Sequence, residues 1–256
     1  MRLRYNVIGV DVDATHPSAA LAEIESWIRE RRRGFVCFAT AHGVTEAQSV
    51  PELAAAYAAS DLTGPDGMPL VWLGRAHGHR DVGRVYGPTI TLQLCERAAR
   101  EGWSGYFYGG AEGVAERLAA AMAGRFPGLR IAGWESPPFR PLTAEEETAA
   151  VARINDASPD LVFVGLGCPR QEMWMHRLRA RLGAPVLLGV GAAFDFHTGR
   201  VKQAPAWMQS AGLEWFFRLT QEPRRLWKRY LVTNSVFVTH VLLQALRLRR
   251  YPRSAS

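Results

Sequence analysis

Asp160-Leu-Val-Phe-Val-Gly-Leu-Gly167 decides the fold. It is a short apolar run, rich in valine, and it reads as a strand buried on both faces. Helical spacing follows over 171–182, and Pro185-Val-Leu-Leu-Gly-Val-Gly191 reads as a second strand. A strand, a helix and a strand make the crossover that a parallel pair requires. The same alternation continues outward. Gly105-Tyr-Phe-Tyr-Gly-Gly110 reads as a strand running into a glycine turn and a helix over 114–125. Residues 129–133 are strand-like, and a helix over 143–157 opens on the capping-box pattern Thr143-Ala-Glu-Glu146. Nearer the N-terminus, Val7-Ile-Gly-Val10 and Phe35-Val-Cys-Phe-Ala39 read as strands. Residues 18–33, 45–60 and 92–100 carry helical patterns. The pattern predicts an α/β fold: a doubly wound, mainly parallel, Rossmann-like sheet with right-handed crossovers.

Composition bounds the rest. The chain has 256 residues, 48% of them hydrophobic, enough for one large core. Its three cysteines, Cys37, Cys95 and Cys168, are odd in number and widely spaced. That argues against a disulfide framework and for a reducing compartment. The N-terminal stretch lacks the apolar run of a signal peptide. No stretch reaches the roughly 18–20 apolar residues that span a bilayer. Charge is placed unevenly. Residues 200–256 hold eleven Lys and Arg against two Glu, a balance of +9. The whole chain is +7, so residues 1–199 balance at −2. The basic segment interleaves Trp207, Trp215, Phe216, Phe217 and Trp227 with arginines, then carries an apolar helical run over 231–246. This predicts two units: an α/β core over 1–199 and a basic, amphipathic helical appendage over 200–256. Such a segment calls for an anionic partner, whether membrane surface, nucleic acid or pyrophosphate.

Candidate chemistry falls at the carboxyl ends of the predicted strands, where open α/β sheets place ligands. In Asp61-Leu-Thr-Gly-Pro-Asp-Gly-Met-Pro-Leu-Val-Trp72, Pro65-Asp66-Gly67 reads as a tight turn that presents a carboxylate. The plain alternative makes Asp66 a turn-former only. Thr40 and His42 follow the 35–39 strand. Gly109 and Gly110 lie at a strand–helix junction suited to phosphate. Gly165 and Gly167 would let a ligand approach the backbone. Gln171 and Glu172 then fall in the first helical turn. Glu172 complements the helix dipole there, whereas Gln171 has no equally good structural reason. Asp195 sits past the last strand as a cap or a ligand contact. Arg84, in Gly83-Arg-Val-Tyr-Gly-Pro88, can present a bidentate fork to a pyrophosphate.

Together Pro65-Asp66-Gly67, Arg84, Gly165-Leu-Gly-Cys-Pro-Arg-Gln-Glu172, Phe194-Asp-Phe-His-Thr-Gly199 and the stretch 213–229 resemble the WecG/TagA/CpsF family of bacterial glycosyltransferases. The likeness covers nearly the whole chain, and the combination is more specific than any one motif. It implies transfer of a sugar from a UDP-sugar to a polyprenyl-diphosphate-linked acceptor, with inversion. It also implies no metal and no cofactor, and work at the cytoplasmic, inner face of the cell membrane. The family's base then matches Asp66, its active-site arginine Arg84 and its glutamine Gln171. Its basic tail residues match Arg218, Arg224 and Arg225.

Two departures leave sugar and acceptor open. Ala39-Thr-Ala-His42 stands where relatives often have Thr-x-Asn, so Thr40 or His42 takes that place, and Gln203-Ala-Pro205 stands for Arg-Ala-Pro. The chain is read as holding no Asp-x-Asp metal motif and no His/Cys cluster. An anionic membrane surface is the expected partner of the tail, rather than nucleic acid, which does not require its apolar run. An NAD-dependent oxidoreductase ranks below both, because Val7-Ile-Gly-Val-Asp11 offers one glycine where a dinucleotide turn needs three. A homo-oligomer is left open.

Overall fold

The computed structural model describes residues 2–252, apart from the side chains of Arg224, Arg225, Leu226, Lys228, Arg229, Tyr230 and Leu231. The chain opens with β1 (Arg4–Val7) and β2 (Val10–Asp13), an antiparallel hairpin. Then come α1 (Pro17–Arg29), β3 (Gly34–Ala39), α2 (Ala41–Glu46), α3 (Pro51–Ala59), β4 (Leu62–Pro65) and α4 (Met68–Ala76). The middle of the chain supplies α5 (Gly87–Glu101), β5 (Ser104–Gly109), α6 (Val114–Arg125), β6 (Arg130–Glu135) and α7 (Ala144–Asp156). The sheet is completed by β7 (Leu161–Gly165), α8 (Arg170–Leu178), β8 (Val186–Leu188) and α9 (Ala193–His197). Three further helices follow, α10 (Ala206–Ser210), α11 (Glu214–Gln221) and α12 (Pro223–Ala245).

The six-stranded sheet runs β4-β3-β8-β7-β5-β6, parallel throughout, so the α/β, Rossmann-like expectation holds. Both its faces are buried, and alternate residues feed two cores. Phe35 and Cys37 of β3, Val162 and Val164 of β7 and Leu187 of β8 join Tyr57, Trp174 and Met175 on one side. Val36, Phe38, Phe163 and Leu188 join α1, α5 and α6 on the other. All six residues of β3 are buried, as a central parallel strand requires. The capping box at Thr143 and Glu146 forms as its sequence predicts.

Three local expectations change. Val7–Val10 is not one strand but a hairpin turn, because Ile8 and Gly9 adopt φ of 41° and 93°. The helix expected over 45–60 is broken, since Pro51 opens α3 after a turn at 47–49. Gly64 and Pro65 do not break the chain but end β4, where Pro65 pairs with Ala39. An edge strand tolerates a residue with no N–H to give. The chain turns one residue later, and Gly67 does so at φ −81°, without left-handed backbone.

The last helix folds back on the rest. Phe237 of α12 is buried in the core that holds the hairpin. Gln244 accepts from the Ile8 amide at 2.8 Å and donates to Asn6 Oδ1 at 2.8 Å. Among the described residues, no helix is long and apolar enough to cross a membrane.

Candidate active site

The carboxyl ends of β3, β4, β7 and β8 open on a cleft of about 1060 Å³, roofed by α11 and α12. Of the residues singled out in the sequence, Thr40, His42, Asp66, Arg84, Gly110, Gly165, Gly167, Gln171, Glu172, Asp195 and Arg218 all line it. Gly109 does not. The side chains of Arg224 and Arg225 lie outside the described residues.

Asp66 stands directly after β4, its amide bonded to the Ala39 carbonyl at 2.9 Å. Arg84 donates from Nε to the Asp66 carbonyl and from Nη2 to Asp66 Oδ1 at 3.2 Å. The same Nη2 donates to Glu214 Oε2 at 2.6 Å. Tyr86 donates its hydroxyl to Glu214 Oε1 at 2.8 Å and lies under the Arg84 guanidinium, 3.9 Å from ring centre to Cζ. One arginine thus bridges two carboxylates from distant parts of the chain. The Asp66 side chain is only 14% exposed. Burial pushes its carboxyl up to about 6, Arg84 pulls it back, and the charge of Glu214 adds to the rise. A carboxylate poised there is largely ionised at neutral pH and still basic enough to take a proton. Burial works against the charge on Arg84, but Asp66 and Glu214 outweigh it and raise its pKa.

Gln171 proves to have a structural reason after all. Its Oε1 accepts from the Gly167 amide at 3.1 Å, and its Nε2 donates to Gly189 O at 2.6 Å and to Glu172 Oε1 at 2.9 Å. It ties the turn after β7 to the end of β8 and is 5% exposed. Glu172 does more than complement a dipole. It is fully buried, and its Oε2 has no hydrogen-bond partner among the described residues. Burial pushes it up to about 7, only partly offset by the hydrogen bond from Gln171.

The glycines divide. A Cβ on Gly165 would meet the Phe194 ring at 2.4 Å, and one on Gly109 would meet the Gly165 backbone at 2.5 Å. At these two positions packing between β5, β7 and α9 by itself requires glycine. On Gly110 a Cβ would meet Val114 at 2.8 Å. Gly167 differs: its φ is +77° and nothing lies within 4 Å of its missing Cβ, so the turn needs glycine and leaves room above it.

Thr40 caps α2, accepting from the Gly43 amide at 3.1 Å, while His42 faces Glu46 across 4.0 Å. Asp195 lies within α9 and pairs with Arg200 at 3.6 Å. Arg218 sits 5.9 Å over the Phe196 ring, and its buried Nε has no hydrogen-bond partner among the described residues.

Tyr86 and Glu214 are the residues that sequence reasoning missed. Tyr86 lay within the quoted Arg84 stretch; Glu214 was hidden by the 130 positions that separate it from Arg84. One Asp-x-Asp triplet does stand in the chain, Asp11-Val12-Asp13. It belongs to the hairpin rather than the cleft. Asp13 is 1% exposed, paired with Arg4 at 2.8 Å and bonded to the Thr63 amide at 2.7 Å, so its carboxylate is spent on the fold.

Comparison with known proteins agrees with this geometry. Residues 5–251 match the model of the glycosyl transferase WecG/TagA/CpsF family, and the chain belongs to that family. It is 31% identical over 189 residues to an N-acetylglucosaminyldiphosphoundecaprenol N-acetyl-beta-D-mannosaminyltransferase of Bacillus subtilis, covering 74% of this chain and 72% of the relative. It is 30% identical over 217 residues to the protein of the same name from Bacillus spizizenii, covering 85% and 82%.

Proposed function

We propose that this member of the WecG/TagA/CpsF family transfers an N-acetylhexosaminyl or hexosyl group from a UDP-sugar to a polyprenyl-diphosphate-linked saccharide, with inversion and without a metal. The relatives' names supply the acceptor class, N-acetylglucosaminyldiphosphoundecaprenol. The observation that carries the mechanism is Asp66. It is the carboxylate just past a strand end, facing the cleft, held by one arginine and near its midpoint at mildly acid pH.

In the proposed step Asp66 takes the proton of the acceptor hydroxyl as that oxygen attacks the anomeric carbon. The bond to UDP breaks on the opposite face, and its electron pair leaves with the diphosphate. Arg84 and Arg218, both on the cleft wall, offset the developing charge. Gln171 holds the floor rather than the reacting atoms. The only Asp-x-Asp pair among the described residues is spent on the hairpin, which favours charge stabilisation by arginine. Exposed Trp207, Trp215, Phe216 and Trp227 beside the +9 segment favour peripheral attachment of residues 200–256 to an anionic inner membrane face.

The test is a panel of UDP-sugars, UDP-N-acetylmannosamine among them, offered to the purified chain with N-acetylglucosamine linked to a polyprenyl diphosphate. Transfer from one of them, unchanged by EDTA and with inverted anomeric configuration, is the expected result. No transfer across the panel, or transfer lost on chelation and restored by a divalent cation, would overturn the reading.

A further inference from the structure

Glu214 opens α11 and reaches the cleft with both carboxylate oxygens engaged, Oε2 on Arg84 at 2.6 Å and Oε1 on the Tyr86 hydroxyl at 2.8 Å. Its side chain is 15% exposed. A part-buried, fully bonded carboxylate that crosses from one segment to another fixes the second segment in place, because removing it leaves the part-buried Arg84 with Asp66 alone and the buried Tyr86 hydroxyl without its acceptor. One turn further along the same helix, Arg218 also faces the cleft, over Phe196 and with its Nε unbonded among the described residues. Residues four apart share a helix face, so the seating of Glu214 sets where Arg218 points. Besides Glu214 and Arg218, α11 lines the cleft through Trp215.

We propose that Glu214 is a positioning residue for sugar transfer: it locks Arg84 against Asp66 and seats α11 so that Arg218 covers the donor end of the cleft. The proposal rests on the transfer reaction given above. The charged and titratable groups that face Asp66 are Arg84 and Tyr86, from the segment before α5, and Glu214 itself. Glu214 therefore acts on Asp66 through its own charge as well as through the arginine it holds. Where the shape and the seat of Arg84 are kept, removing that charge lowers the Asp66 pKa.

The experiment uses the full chain with membrane-mimetic acceptor and compares wild type, Glu214→Ala, Glu214→Gln, Arg218→Ala and the double variant Glu214→Ala, Arg218→Ala. Glu214→Ala should lower kcat/KM roughly 30-fold or more, and Arg218→Ala should add less than about twofold on top of it, although alone it weakens the wild type clearly. Glu214→Gln keeps the shape and folds as a control by circular dichroism. Its acidic limb of kcat/KM should move to lower pH, a change that a merely structural contact would not produce. Glu214→Ala with wild-type kcat/KM, a full additive loss from Arg218→Ala, or an unmoved limb in Glu214→Gln would each overturn the proposal. Absence of transfer by the wild type would instead remove the reaction on which it rests.

Discussion

Asp66 and Glu172 are carboxyls at the carboxyl edge of one sheet, the first part-buried and the second fully buried, and desolvation raises both. They differ in what faces them. Both line the cleft, but Asp66 keeps an arginine on one oxygen, which holds its pKa at about 6. Glu172 is fully buried with no cation on it: hydrogen bonds from the Gln171 amide, its own backbone amide and the Cys168 thiol offset burial only in part, so its pKa reaches about 7. The difference teaches that burial alone does not make a base. A nearby cation favours the charged form of Asp66, whereas Glu172 has only neutral donors to offset its burial.

The contrast breaks first at Asp66. Asp66→Asn should lower kcat by about 10³-fold while leaving the thermal midpoint and UDP binding close to wild type, since general-base loss falls in that range. Radiolabelled transfer and calorimetric UDP titration check it. Next is the amide that separates the two sites. Gln171→Ala strands the Gly167 amide, the Gly189 carbonyl and Glu172, so stability should fall by about 2–3 kcal/mol, read by urea unfolding, with activity falling alongside it.

Glu172→Gln should do the opposite. It puts a neutral isostere of the protonated acid in place of a group that titrates near 7, and activity should stay within about threefold. Its stability effect has a definite sign. The folded chain holds the Glu172 proton that the unfolded chain releases, so wild-type stability declines as pH rises from 4.5 towards 7 and stays lowered above it. The rise from 4.5 to about 7 is worth roughly 3 kcal/mol, and Glu172→Gln should regain much of it at pH 8 but little at pH 4.5. A smaller effect is expected at the tail: flotation with anionic liposomes should weaken as salt is raised, whereas cleft chemistry on a short soluble acceptor should change little.

Much of this arrangement was legible in the sequence. The runs at 160–167 and 185–191 sit where the pattern placed β7 and β8, because parallel strands buried on both faces leave a continuous apolar signature. Asp66 could be found because the chain leaves an edge strand through Gly64 and Pro65. Local patterns cannot show partners far apart in the chain, so Glu214 escaped. Nor could spacing tell Gly165, which clears the Phe194 ring, from Gly167, which turns the backbone: both are glycines on one motif, and only packing separates them. Val7–Val10 misled because a hairpin turn flanked by valines imitates a strand.

The central claim is that Asp66, and not Glu172, is the base. It is tested most directly by the pH dependence of kcat/KM for sugar transfer, measured from about pH 4.5 to 8 in wild type, Asp66→Asn and Glu172→Gln. The account predicts an acidic limb near pH 6 in wild type and Glu172→Gln, with activity rising as Asp66 loses its proton, and no such limb in the residual activity of Asp66→Asn. The limb persisting in Asp66→Asn, or vanishing in Glu172→Gln, would contradict it.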